Sequence, residues 1–185
     1  MLEEIERELR ADRNSDRPIP APLIRRGMDS KDWDLIDATY VLLNSAHVQR
    51  IAPPLSFDEV FEFTLRYYIS CLKDNPTPRG KPPMRYSAGW DLVAWFCHLW
   101  DNGVEKQYFK RIKAQLADLY KSGDGDLKQA IEHAIVEHLF ERKPIRKFFA
   151  DWKSDSELRP AYEEGVLWVS HGGTSPLSEP SEKAP

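Results

Sequence analysis

The chain has 185 residues, with 26 Lys and Arg against 30 Asp and Glu, so its formal net charge is −4; 41% of the residues are apolar, 30% charged and 11% aromatic. This balance excludes a wholly disordered chain, a collagen-like repeat and, with only two cysteines, a disulfide scaffold. The length suits one folded domain with tails, large enough to build a core without staples.

In chain order, Leu2, Ile5 and Leu9 fall at helical spacing and predict a short amphipathic helix over 2–10. Three prolines follow within 12–22, so residues 1–22 read as a helix on a Pro-rich tether, ahead of a helical domain over 23–169. The start MLEEIERELR lacks the basic and then apolar run of a secretory signal. Trp33, Ile36, Tyr40, Leu43 and His47 make one helix face behind a cap at Asp29 or Ser30, closed by Pro53-Pro54. Ser56 to Glu59 is a capping box, opening a helix with the stripe Phe57, Val60, Phe61, Leu65, Tyr68 and Leu72. Phe63, Tyr67 and Ile69 lie off that stripe, so this helix is apolar on more than one side.

The run NPTPRGKPP at 75–83 admits no regular element and reads as an exposed loop. Ser87 to Asp101 is the most apolar helix, with Trp90, Val93, Ala94 and Cys97 on one face and Asn102-Gly103 as its stop. Tyr108, Ile112, Gln115, Leu116 and Leu119 mark the next helix, ending at Gly123. Asp126 is expected to cap another, carrying Leu127, Ile131, Ala134, Ile135, His138 and Leu139. Pro144 fits the first turn of a short helix over 144–152, and Asp155 opens a last one through Trp168. Residues 170–185, small, polar and Pro-rich, are expected to be a disordered tail. No segment alternates at period two and no repeat is visible, so the expected class is all-α, a single globular bundle of about seven or eight helices. No apolar run spans a bilayer. Cys71 and Cys97 sit among apolar neighbours, which suits a reducing compartment and a cytoplasmic location.

Three constellations carry candidate chemistry. The first is a His/Glu/Asp set for acid–base or metal work: His98, Asp101, His133, Glu137 and His138. His133 and Glu137 share a helix face, whereas His133 and His138, five residues apart, are turned by roughly 140°. That separation matches no zinc-helix signature, so no metal or cofactor is expected. The second is charge segregation: residues 1–72 balance at −4, 73–153 at +4 and 154–185 at −4. Within the basic third, Lys106, Lys110 and Lys113 form a stripe, and Arg142, Lys143, Arg146 and Lys147 form a cluster that could neutralise phosphates. A sequence pI near 5.8 weighs against a dedicated nucleic-acid binder. The third is an aromatic excess off the helix stripes, at Phe63, Tyr67, Trp95, Phe96 and Phe109, expected to form an exposed partner-binding face.

Phosphate loops, dinucleotide fingerprints and nucleophile elbows are absent from the sequence. The reading that follows is a non-enzymatic helical protein that binds another protein, such as an immunity- or antitoxin-like inhibitor or an adaptor. A helical-bundle enzyme and a nucleic-acid binder are the alternatives, and the amphipathic first helix could support self-association.

Overall fold

The structure, a computed structural model, describes residues 1–12 and 16–173. It is helical, with eight helices of seven residues or more among the described residues. The expected tail lies outside the described residues from 174 onward; Ser170 closes the last helix. Two compact units are present: Met1–Tyr67 with Pro76–Pro83, and Tyr68–Asn75 with the chain from Met84.

The first unit contains α1 (Leu2–Arg10), α2 (Ala21–Met28), α3 (Trp33–Leu43) and most of α4 (Phe57–Asp74). Ile5 and Ile24 are fully buried alongside Leu35, Leu42 and Phe63. Each such side chain contributes about 1.5–3 kcal/mol by leaving water. The short helix α2 was not expected, because Pro18, Pro20 and Pro22 read as punctuation. Pro22 instead occupies the first turn, where no N–H is required, and the residues behind it bury Leu23 and Ile24. Residues Ile19–Pro20 pair in parallel with Ile51–Ala52, the one strand pairing among the described residues.

Several expected boundaries move. Asp32, rather than Asp29 or Ser30, caps α3 by accepting the Asp34 N–H at 3.0 Å. The helix stops at Leu43 and a 3-10 segment (Ala46–Arg50) follows, so His47 is not on the α3 face. The capping box forms as expected: Glu59 Oε2 accepts the Ser56 N–H at 2.9 Å, and Ser56 Oγ accepts the Glu59 N–H at 3.2 Å. The Pro-rich loop is anchored rather than loose, since Asp34 accepts the Arg79 N–H and Lys81 pairs with Asp37 at 2.6 Å. Beneath α1, Glu8 and Arg50 form a buried ion pair at 2.9 Å.

The second unit contains α5 (Arg85–Asp101), α6 (Lys106–Ser122), α9 (Lys143–Phe148) and α10 (Arg159–Ser170). Between α6 and α9 runs a rod made of α7 (Gly125–Ile131), a π-helical turn (Glu132–Val136) and α8 (Glu137–Phe140). Its cap is Asp124, which accepts the Leu127 N–H at 2.8 Å, and not Asp126. The core is aromatic: Phe96 lies 5.0 Å from Phe109 and 6.2 Å from Phe149 between ring centroids, and Phe149 lies 5.0 Å from Trp152. The buried face of α5 is Ala88, Leu92, Val93, Phe96, Cys97 and Leu99. Trp90, expected in that core, is instead 50% exposed. Its aromatic size suggested burial, yet the true face is rotated toward the Leu92–Phe96–Leu99 row. No helix among the described residues is long and apolar enough to cross a membrane.

Candidate functional site

The aromatic residues expected to form a partner face do not form one. Phe63, Tyr67, Phe96 and Phe109 are buried, between 0% and 3% exposed, and Trp95 is half-buried. Tyr67 stacks on Tyr40 at 3.9 Å and donates its hydroxyl to Asp37 at 2.9 Å. These rings lie off the simple stripes because their helices bury side chains on more than one face, which a single-stripe count cannot detect. Among the described residues the exposed aromatic rings are Phe57, at the start of α4, and Tyr86 and Trp90, one turn apart on α5.

The basic residues divide into spent and free groups. Lys113 reaches Asp151 and the Phe148 carbonyl, and its ammonium sits 4.9 Å above the Phe148 ring. Arg142 donates to both carboxylate oxygens of Asp101, at 2.8 and 2.9 Å. Arg146 is half-buried, while Lys106, Lys110, Lys143 and Lys147 are exposed. Lys110 and Lys147 make no hydrogen bond or ion pair among the described residues.

Those two lysines sit at one end of an open groove of about 750 Å³ in the second unit. One wall is α6, whose residues 110, 113, 114, 117 and 121 recur on one face at helical spacing. At 1.5 Å per residue that wall is about 16 Å long. The other wall is the 147–158 segment. The walls run in the same direction, because Lys113 pairs with Asp151 and Lys121 with Asp155 at 2.6 Å. Ala114, Ala117, Phe148 and Leu158 supply apolar surface; Asp118, Asp151 and Asp155 add carboxylates that a phosphate backbone would meet as repulsion. The Lys121 hydrogen bond holds the Asp155 carboxyl below its usual range, and Asp155 in return raises Lys121.

The histidines separate. His98 is exposed, and its nearest side-chain partner is Asn102, at 3.4 Å. His138 contacts Glu141 at 3.1 Å, and the Trp168 indole N–H donates to the same carboxylate at 3.2 Å. Asp101 is held by Arg142. Only His133 and Glu137 stay together, with Nδ1 and Oε1 2.6 Å apart. The structure adds a third residue that sequence spacing could not supply. Glu164 of α10 joins them so that one ligand atom from each residue lies within 4.8 Å of the others. Hydrogen bonding to Glu137 raises the His133 pKa above its ordinary value. Cys97, by contrast, is pushed up to about 11 by burial, which makes its thiol a poor nucleophile.

Comparison with protein-family models, with curated proteins and with solved structures returns no match for this chain, so its functional reading stands on its own geometry.

Proposed function

We infer that this protein acts by binding, and that its groove between α6 and the 147–158 segment holds a segment of a protein partner that is apolar along its length and acidic at one end. The observation that carries this reading is the combination of an apolar floor with two ammonium groups at the same end, Lys110 and Lys147, that are unpaired among the described residues. An opposing carboxylate would complete that end and steer the encounter. Lys113 with Asp151 and Lys121 with Asp155 already bind one another, which takes four of the groove's polar groups out of any set that would orient a small substrate. A wall about 16 Å long fits roughly three helical turns or five extended residues. An inhibitor or an adaptor would use such a groove equally well.

The test is to pan a library of peptides of about twelve residues, the helical length that fills the groove, with an Ala117→Trp variant as counter-selection. Ala117 is half-buried in the groove wall, so an indole there occupies the floor. Expected binders combine apolar residues with terminal Asp or Glu. They lose measurable affinity for Ala117→Trp and weaken by about tenfold for the double reversal Lys110→Glu with Lys147→Glu, the range for two exposed charges. Peptides that bind Ala117→Trp as well as the natural chain would overturn the reading. So would salt-sensitive binding of single-stranded nucleic acid with no peptide selected.

A further inference from the structure

We propose that His133, Glu137 and Glu164 form a binding site for one divalent transition-metal ion of the zinc type. The ligands come from near the start of the π-helical turn, the start of α8 and the middle of α10. His133 and Glu137 are four residues apart, and Glu164, distant in sequence, is brought to them by the packing of α10 on the rod. That packing is tight on both sides of the π turn. A Cβ on Gly89 of α5 would fall 2.7 Å from the Ala134 Cβ, and one on Gly165 of α10 would fall 2.7 Å from both Val136 Cγ1 and Phe140 Cδ2. Glu164 is the residue next to Gly165, so the glycine contact is what brings its carboxylate alongside the turn. A π turn inserted in an α-helix is itself a feature found often at functional sites.

Two further observations separate this cluster from an ordinary group of surface acids. The Glu137 side chain is only 8% exposed, yet its one recorded partner is the His133 ring, which is 48% exposed. A carboxylate withdrawn from water to that degree is stabilised by a cation beside it. Glu164 makes no hydrogen bond or ion pair among the described residues and is free to ligate.

The donor set decides the class of ion. One imidazole nitrogen with two carboxylate oxygens suits borderline ions such as zinc, rather than calcium or magnesium, which take all-oxygen cages, or copper(I), which takes sulfur. Tetrahedral zinc with bonds of about 2.1 Å holds its ligand atoms about 3.4 Å apart. The atoms here, within 4.8 Å of one another, close to that spacing by rotation of the half-exposed His133 ring. Binding releases the proton of the His133–Glu137 hydrogen bond to solvent and leaves a fourth position for water, with no change of oxidation state.

Isothermal titration of untagged, chelator-stripped full-length protein with zinc chloride tests this, with cobalt(II) visible absorption reporting coordination number. One zinc per chain is expected, with four-coordinate cobalt bands. Glu164→Gln and His133→Ala should each weaken binding by about a hundredfold or more, the upper range for disturbing a metal's surroundings. Neither side chain is buried enough to threaten folding, which circular dichroism would verify. His98→Ala, an exposed histidine outside the cluster, should bind as the natural chain does. No zinc uptake, or uptake unaffected by both cluster variants, would overturn the site.

Discussion

Replacing Gly165 by alanine probes the contact on which the second unit's chemistry depends. The added Cβ meets Phe140 Cδ2 and Val136 Cγ1 at 2.7 Å each and Phe140 Cγ at 3.1 Å. Carbon atoms prefer separations of about 3.5–4.0 Å, so the two shortest contacts are about 1 Å too close. Phe140 and Val136 are both 0% exposed and have no solvent to swing into. The strain therefore falls on the spacing between α10 and the rod, and overpacking of this kind costs about 1–3 kcal/mol. Alanine in a helix interior returns about 0.5–1 kcal/mol relative to glycine. The net expectation is a destabilisation of about 1 kcal/mol. Gly125→Ala, in the first turn of α7, is the matched control: nothing lies within 4 Å of its added Cβ, and its φ is not positive. It should be neutral, or stabilising by up to about 1 kcal/mol. Urea unfolding followed by circular dichroism reads both, provided the m-values agree. A Gly165→Ala variant as stable as Gly125→Ala would refute the close approach.

Two other perturbations examine the first unit. Arg50→Ala leaves Glu8, whose side chain is 4% exposed, with only Arg17 at 3.3 Å and Arg7 at 3.8 Å, both largely in solvent. Removing one partner of a buried pair costs about 3–5 kcal/mol, and a measured loss under about 1 kcal/mol would show that Glu8 is not dependent on Arg50. Glu59 titrates at about 2, against an ordinary 4.5, because it accepts from Arg25 and from the Ser56 backbone and hydroxyl. A depressed carboxylate adds stability above its unfolded value and loses it as pH falls toward the folded value. The stability gap between the natural chain and Glu59→Gln should therefore be constant above pH 5 and close between about 4.5 and 2; a gap independent of pH would contradict the assignment.

Much of the fold was legible from periodicity and punctuation. The capping box at Ser56–Glu59, the stop at Asn102-Gly103 and the first-turn Pro144 each act through their own backbone, so a local reading suffices. Proline misled at α2, because the same residue that breaks a helix interior opens a helix N-terminus. The π turn shifts the residues after Val136 relative to those before Ile131, and only the packing of Gly89 and Gly165 reveals why the rod tolerates it. For the candidate sites, local spacing gave His133 with Glu137, and the lysine stripe of α6. Glu164 and the 147–158 wall enter through tertiary contacts between elements far apart in sequence, which no periodicity encodes. Phe63, Tyr67, Phe96 and Phe109 show the reverse error: a ring off one stripe is not exposed when a second neighbour covers it.

The groove reading is tested most directly by mapping where a selected peptide binds. Amide chemical shifts recorded on titrating an acidic-apolar peptide into the labelled chain should move at Ala114, Ala117, Lys121 and Trp152, and those changes should vanish in Ala117→Trp. Shifts confined to Tyr86 and Trp90 on α5, with the groove residues unmoved, would contradict the account.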